Sequence, residues 1–335
     1  MKYEIDFPDL GCYCVRTRSD EYRFCIYDYT RREIIKIPPN VNGVPVTEVL
    51  FERDGSWNMT VKKVYITKSV RKIERERNCY SDSIPEIIID DENPFFHSFG
   101  GGLYQGDRLL FVSNICKGTF RVSPETKEIC DNAFKRSNVD RVILPPSISK
   151  VGDDALSGCG QTEVFDNFSA EIIYSNNYSS EFIVHSYESG EMLYKLFIPG
   201  WRYWDYHITK NRNFGNLDLV FYDNSFEKTK SDISFDESLW VCLDRLMYPY
   251  RLSKAAEARY KKFICDNNTH AVKTVIDADK QDRLCFLSEL GVVVPENLEE
   301  LTEYCVQREK TEFTALLLAY KGRNFPDLPP VFSLE

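Results

Sequence analysis

Residues 121–138 read RVSPETKEICDNAFKRSN, and residues 143–160 read ILPPSISKVGDDALSGCG. The two segments align position by position when Val122 is paired with Leu144, at a spacing of 22 residues. In both, apolar residues come two positions before and seven positions after this origin, and an alanine followed by a large apolar residue comes at positions eleven and twelve. Because the match is positional as well as compositional, it indicates an internal repeat.

Three earlier segments fit the same pattern, with origins at Ile37, Ile66 and Ile89. The steps between successive origins are therefore 29, 23, 33 and 22 residues, so the repeat carries insertions. The longest step contains GGGLYQGDRLLF (100–111), in which glycines flank alternating apolar residues. That pattern is typical of a β-hairpin.

The spacing within one copy predicts a short strand followed by a return segment. Residues at the origin and two before it share one strand face, and a proline directly after it, as at Pro38 and Pro145, ends the strand. Asp131 and Asp153 stand where a short helical turn can begin. One copy cannot bury its own apolar side, whereas stacked copies can, so we expect a solenoid.

The segments IIKIPPNVNGVPVTEV (34–49), NPFFHSFGGGLYQGDRLLFV (93–112) and VILPPSISKVGDDALSGC (142–159) resemble BspA-type leucine-rich repeat proteins, a family common in gut Firmicutes. The resemblance covers roughly residues 30–160. It implies a right-handed solenoid of strands and turns that serves protein or surface recognition and not catalysis.

The repeat spacing of the sequence is lost after Gly160. Short apolar or alternating runs, such as 217–222, are separated by Asn, Ser and Gly clusters and predict a β-rich module over 161–234 that caps the solenoid. The predicted order is thus a solenoid with N-terminal cap strands over 1–160, the β-rich module, a helical domain over 235–324 and an extended tail over 325–335. The fold class is α+β.

A helical period begins near Asp236, and the first helix stops near Pro249. Ser253 is placed to cap a second helix that runs through Asp266, and two more helix pairs follow. The stretch THAVKTVIDADKQDRLCFLSELG (269–291) resembles an ankyrin-type helix pair, which implies stacked helical hairpins.

Charge and composition exclude several classes of function. Lys and Arg number 42 and Asp and Glu number 52, so the net charge is −10, and no basic cluster interrupts it. A protein that binds nucleic acid needs clustered cations, so we expect no nucleic-acid partner. No apolar run is long enough to form a membrane-spanning helix, and MKYEIDFPDL (1–10) lacks a basic region followed by an apolar one. We therefore expect no membrane span and no standard secretion signal.

The cysteines predict the compartment. Eleven cysteines are scattered, mostly beside apolar residues, whereas a disulfide framework is dense and even in number. We expect buried thiols and a cytoplasmic protein.

The sequence lacks the motifs of phosphate-binding, zinc-binding and catalytic sites. The glycines at 100–102 and Gly106 do not have the spacing of a phosphate-binding loop. Cys12 and Cys14 are two residues apart, a spacing that places both side chains on one face of a strand and does not favour a tetrahedral zinc site. The sequence lacks GxSxG and HExxH, and Cys130 or Cys159 beside apolar repeat residues is expected to be inert. We therefore expect no enzyme, no cofactor, no metal and no catalytic residue.

Binding residues are predicted from strand geometry. Positions that alternate with the buried set point outward on the repeat strands, and they are Lys36, Tyr65, Arg121, Arg141 and Ile143.

A second binding candidate is WRYWDYH (201–207), with Trp201, Tyr203, Trp204 and Tyr206. Trp, Tyr and Arg are enriched at binding hot spots, so one face of this segment is a candidate platform for a partner. The other interpretation is a packed interface between the β-rich module and the helices.

These observations predict a non-catalytic module for protein–protein interaction that presents the face of a repeat sheet to a protein partner. The alternative that the family resemblance implies is a cell-surface adhesin that binds host protein or glycan. An enzyme of an unrecognised type is the third interpretation.

Overall fold

The computed structural model describes residues 4–28, 30–52, 60–75, 85–165, 167, 171–172, 180–199 and 219–329. These residues divide into two compact units. The first ends at Met192, and the second consists of Leu193–Pro199 together with the helices from Leu219 onward.

The strands are short, as the short repeat in the sequence requires. They are β1 (Glu4–Phe7), β2 (Cys12–Arg16), β3 (Tyr22–Ile26), β4 (Ile34–Lys36), β5 (Asn40–Val41), β6 (Val44–Phe51), β7 (Lys63–Ile66), β8 (Lys72–Arg75), β9 (Glu86–Ile89), β10 (Phe96–Phe99), β11 (Gly102–Gln105), β12 (Arg108–Val112), β13 (Lys117–Arg121), β14 (Glu128–Ile129), β15 (Asn138–Ile143), β16 (Lys150–Val151), β17 (Gln161–Phe165), β18 (Glu171–Ile172), β19 (Ser180–His185) and β20 (Met192–Ile198).

Parallel ladders join strands that are not consecutive in the chain, which is the signature of a solenoid. On one side β4, β7 and β9 pair in parallel, and further along the chain β13, β15, β17 and β19 do the same. On the other side β3, β6 and β8 form a parallel ladder, and so do β12, β14, β16 and β18. The first unit is therefore a β-solenoid of about six turns.

The strand registers reproduce the repeat steps that the sequence predicts. Ile35 pairs with Val64 at a step of 29, and Ile66 pairs with Ile89 at a step of 23. Phe120 lies opposite Val142 at the predicted step of 22. Asp131 and Asp153 open hydrogen-bonded turns instead of helical turns, because positive φ angles at Asn132, Arg136 and Asp154 interrupt any helical run.

The apolar core of the solenoid begins at its N-terminal end. The strands β1, β2 and β3 are antiparallel, and β3 then joins the parallel ladder through β6. Cys12 and Cys14 are fully buried on one face of β2, as expected for residues two apart on a strand. They pack in the same core cluster as Phe24, Ile35 and Val64, so these thiols act as small apolar side chains.

The longest repeat step holds the predicted hairpin. β10, β11 and β12 form an antiparallel meander, and β12 then continues the parallel ladder. Asn93 fixes the entry to this meander. Its amide nitrogen donates to the carbonyl oxygens of Thr67 and Val70, at 2.9 Å each, and its side-chain oxygen accepts from the backbone N–H groups of Phe95 and Phe96.

Asn93→Asp is expected to destabilise the solenoid by about 1–3 kcal/mol. The substitution preserves shape, but it replaces the two amide donors with an oxygen that faces two carbonyl groups. Urea unfolding followed by circular dichroism measures the change. Asn40→Asp, at an exposed position, makes the same chemical change and is expected to stay within about 0.5 kcal/mol of the parent. Equal stability of the two variants would contradict this role for Asn93.

The boundary predicted at Gly160 requires correction. β17 and β19 extend the parallel ladder of β13 and β15, and β18 extends that of β14 and β16. The predicted β-rich module over 161–234 therefore begins with further solenoid turns. The repeat spacing changes here because the step becomes shorter. Arg141 pairs with Gln161, and Gln161 with Glu181, at steps of 20 residues, whereas Thr119 pairs with Arg141 at a step of 22.

Seven helices make up most of the second unit as the structure describes it. They are α1 (Leu219–Thr229), α2 (Phe235–Met247), α3 (Lys254–Asp266), α4 (Asn268–Asp277), α5 (Gln281–Glu289), α6 (Pro295–Gln307) and α7 (Thr311–Asn324). The six helices from Phe235 onward confirm the predicted helical region. Ser253 caps α3 as predicted, since its hydroxyl accepts from the backbone N–H of Ala256.

The helix α1 contradicts the strand-like run predicted at 217–222 from Leu219 onward, and residues 217 and 218 lie outside the described residues. Its apolar residues do not alternate along one strand face but bury one side of a helix, where Tyr222 and Phe226 are fully enclosed. The Tyr222 hydroxyl donates to the carbonyl oxygen of Phe197 at 2.6 Å, which binds α1 to the Leu193–Pro199 segment.

Buried charges connect the first helices of the second unit. Arg245 on α2 donates twice to Asp223 on α1, at 2.7 and 3.0 Å, and the Tyr260 hydroxyl on α3 donates to the same carboxylate at 2.8 Å. Asp244 on α2 accepts from Arg283 on α5 at 2.8 Å. These groups are at most 4% exposed, so each depends on its partners.

The start of the predicted tail is turned back and not extended. Phe325 lies edge-on to Tyr320 with ring centroids 5.8 Å apart, and Leu328 N–H donates to the Phe325 carbonyl. This apolar contact explains the turn. Residues 330–335 lie outside the described residues.

Candidate functional site

The parallel sheet of β13, β15, β17 and β19 has one buried and one accessible face. Phe120, Val142, Val164 and Val184 alternate inward and are at most 4% exposed. The side chains between them point to the opposite face, as the period of two in a strand requires.

The registers arrange the outward side chains in rows across the strands. Thr119, Arg141, Gln161 and Glu181 form one row. Arg121, Ile143, Glu163 and Ile183 form the next. Neighbouring strands lie about 4.8 Å apart, so side chains in adjacent positions contact each other.

A groove of about 650 Å³ lies over these rows. We call it the arginine groove. Its lining consists of Phe99, Gly100, Thr119, Phe120, Arg121, Arg141, Ile143, Glu163, Phe165, His185 and Gly190.

Glu163 is the buried charge of the arginine groove. Its side chain is only 7% exposed, and a buried carboxylate is costly unless it is paired. The guanidinium of Arg141, on the preceding strand, forms an ion pair with Glu163 Oε1. Because the two residues come from adjacent solenoid turns, stacking of the repeats is what assembles this pair.

His185 approaches the same carboxylate from the following strand. Its Nδ1 lies 3.3 Å from the Gly190 carbonyl oxygen, which only accepts, so Nδ1 carries the proton. Its Nε2 lies 3.5 Å from Glu163 Oε2. In the neutral imidazole Nε2 presents a lone pair to the carboxylate, so this contact becomes favourable only when His185 is protonated.

Aromatic rings supply the apolar walls. Phe99 is 46% exposed. Phe165 meets Tyr187 edge-on at 6.1 Å between ring centroids and lies 6.2 Å from the His185 ring. Exposed rings beside charged groups are typical of binding surfaces.

Two arginines retain unused hydrogen-bond donors in the groove. The Arg121 side chain is exposed and makes no ion pair or hydrogen bond with the residues that the structure describes. Arg141 Nε is buried and has no hydrogen-bond partner among them. Since buried polar groups are nearly always paired, such a donor is the kind of group that a ligand satisfies.

The structure brings together three of the sequence-predicted binding residues and separates the others. Arg121, Arg141 and Ile143 line the arginine groove. Lys36 and Tyr65 lie on the separate sheet of β4, β7 and β9, where Lys36 Nζ sits 5.6 Å above the Tyr65 ring. The predicted platform of Trp201, Tyr203, Trp204 and Tyr206 lies outside the described residues.

Three residues that complete the groove, Glu163, Phe165 and His185, are not among those predicted from the sequence. The predicted step of 22 residues leads from Ile143 to Phe165, whereas the strand register places Glu163 beside Ile143 at a step of 20. The shorter step therefore hid Glu163 from the repeat pattern, and His185 lies opposite Phe165 on the following strand.

The cysteines do not supply a nucleophile to this site. Burial raises the pKa of the Cys159 thiol to about 12 and also raises the pKa of Cys130, whereas a reactive cysteine needs a lowered pKa. The ten cysteines in the described part of the chain form no disulfide with one another.

The described residues hold neither a metal-binding cluster nor a helix that could span a membrane. No group of three or more His, Cys, Asp or Glu side chains in those ranges is arranged to hold a metal ion. No helix there combines the length and apolar composition needed to cross a bilayer.

Comparisons with known proteins give matches among solved structures only. No protein-family model and no curated protein matches the sequence. The chain is similar in structure to a leucine-rich repeat protein from Eubacterium ventriosum, with 13% identity over 53% of this chain and 71% of that one and a TM-score of 0.33. It is also similar to a leucine-rich cell surface protein from Faecalibacterium prausnitzii, with 15% identity over 58% of each chain and a TM-score of 0.35.

The chain resembles bacterial leucine-rich repeat proteins. A third solved structure, a leucine-rich repeat protein from T. pallidum, shares 15% identity over 51% of this chain and 65% of that one, with a TM-score of 0.25. These structures belong to the kind of protein that the sequence resembles, and the β-solenoid assignment itself rests on the strand registers of this chain. The ankyrin-type label for the helices stays a prediction.

Proposed function

We propose that this protein is a non-catalytic interaction module whose solenoid binds a protein partner through the arginine groove. The observation that carries the proposal is that four successive strands of one sheet face contribute to a single groove with charged and aromatic walls. Strand registers fix these side chains on a rigid scaffold, and a preformed surface lowers the ordering cost of binding.

The composition of the groove supports binding over catalysis. Glu163 and His185 lie close enough for acid–base chemistry, but Arg141 already neutralises the carboxylate. Thr119 is the one hydroxyl or thiol side chain among the described lining residues. A threonine needs an adjacent base to act as a nucleophile, and Thr119 lies two strands from Glu163 and three strands from His185.

The cytoplasm is the compartment that we propose. Six cysteines are buried in the cores, where they act as apolar side chains, while Cys265 and Cys285 are exposed thiols. Exposed thiols persist in a reducing compartment and oxidise outside it. The competing proposal is a cell-surface adhesin, which would instead bind a host protein or glycan.

The contacts of the two arginines decide which substitution tests the groove. Arg141→Glu would place a second carboxylate against buried Glu163 and destabilise the sheet, so loss of binding would be ambiguous. Arg121 is exposed and unpaired among the described residues, so Arg121→Glu changes the charge without breaking an internal contact.

Arg121→Glu is expected to reduce capture of the native partner at least tenfold while the melting temperature stays within about 2 °C of the parent, as usual for exposed positions. The measurement is affinity capture from the protein's own host extract, quantified by mass spectrometry. Lys117→Glu makes the same charge change on the same strand outside the groove and is expected to capture normally. Undiminished capture by Arg121→Glu would reject the groove. Selective capture only from foreign host-cell extract would favour the adhesin.

A further inference from the structure

The charge of the arginine groove differs in sign from that of the whole protein. Two guanidinium groups and one carboxylate line it, so with His185 neutral the lining carries one net positive charge. The chain as a whole carries −10. The net negative charge of the protein therefore repels an anionic ligand, whereas the arginine groove attracts it. This difference makes the groove selective for anions.

The unused donors define the geometry of that anion. Arg121 offers a complete guanidinium fork, which matches a carboxylate by two parallel hydrogen bonds. Arg141 retains a buried Nε without a hydrogen bond, although its other end is held by Glu163. A carboxylate that enters from the Arg121 side therefore meets a free guanidinium, and no protein carboxylate competes for Arg121 among the described residues.

The apolar walls indicate what carries the carboxylate. Phe99 and Phe165 stand beside the charges, and Ile143 lies in the same row as Arg121. A groove of about 650 Å³ has the size of a site for one short segment and not for a broad flat interface. The four strands beneath it extend over roughly 14 Å, the length of four or five residues of extended peptide.

We infer that the arginine groove binds a short acidic peptide segment, with an Asp or Glu side chain on Arg121 and a neighbouring apolar side chain against Phe99 and Phe165. This inference rests on the proposed function and names the chemistry of the partner segment. Neutral glycans are disfavoured because they leave the excess positive charge unmatched.

Selection from a random twelve-residue peptide library displayed as fusions tests the inference directly. The fusion blocks the peptide carboxyl terminus, so side chains supply the carboxylates. Clones enriched on the full-length protein are expected to carry Asp or Glu next to an apolar residue. On Arg121→Glu the preference is expected to invert to Lys or Arg, whereas Lys117→Glu is expected to select the same clones as the parent.

Synthetic peptides from the enriched clones provide the quantitative readout. Replacing the acidic residue by Asn or Gln is expected to weaken binding at least tenfold by calorimetry, because a bidentate charge-assisted pair is lost. Enriched clones without acidic residues, identical clones on Arg121→Glu, or no enrichment would each overturn the inference. So would a sulfated polysaccharide, such as heparin, that binds through Arg121 while no acidic peptide does.

The two proposals fail in different ways. If Arg121→Glu abolishes capture of the native partner but selected peptides are not acidic, the interaction function stands and the acidic-peptide inference falls. If capture does not depend on Arg121, the groove itself is rejected.

Discussion

Arg245→Met is expected to lower the free energy of unfolding of the helical unit by about 3–5 kcal/mol. The arginine is fully buried and holds Asp223 with two hydrogen bonds, so its removal leaves an uncompensated carboxylate in the interior. Tyr260 alone then satisfies that carboxylate. The three helices that this cluster connects should loosen together.

Guanidinium unfolding followed by the helical circular dichroism signal measures this effect. Arg251→Met is the matched control, since Arg251 is exposed and lies over the face of the Tyr250 ring. The control is expected to change stability by less than about 1 kcal/mol, the size of an exposed cation–π contact. If both variants unfold at the same denaturant concentration, the buried cluster does not stabilise the unit.

Phe134→Ala is expected to cost the solenoid about 3–5 kcal/mol. Phe134 is fully buried, and its ring meets that of Phe120 edge-on at 5.3 Å between centroids. Its backbone N–H donates to the carbonyl oxygen of Ala155 in the next turn of the solenoid. The cavity left by the substitution therefore lies where two repeats stack, so the packing between these repeats is weakened.

Amide hydrogen exchange across residues 108–165 locates the loss. Exchange in this region is expected to accelerate in Phe134→Ala and to remain near the parent rate in Phe95→Ala, whose ring is 44% exposed. Urea unfolding of the same two variants gives the free energies. A Phe134→Ala variant as stable as Phe95→Ala would contradict the packing role of Phe134.

The parts of the fold that follow from local pattern were predictable from the sequence. The pairing of Phe120 with Val142 follows from the repeat spacing, and the cap on α3 follows from Ser253 before an apolar period. Both signals lie within a short window of residues.

Features that depend on contacts between distant residues were not predictable in this way. Asn93 serves four backbone groups, two of which belong to the previous turn of the solenoid. Glu163 is buried because Arg141 and His185 arrive from neighbouring strands, and no local pattern marks a glutamate for burial. The sequence at the start of α1 predicts a strand because short apolar runs fit either period.

The contacts of Glu163 come from three consecutive solenoid turns, and this restricts how the gene can evolve. Solenoids commonly gain or lose whole copies by duplication and recombination, because each copy contacts only its neighbours. Here, excision of the copy that carries β17, or a duplication that separates it from β15, would part Arg141 from its carboxylate. We therefore expect a fixed copy number in this stretch of the chain, and tolerance of length variation in turns that share no charge between copies.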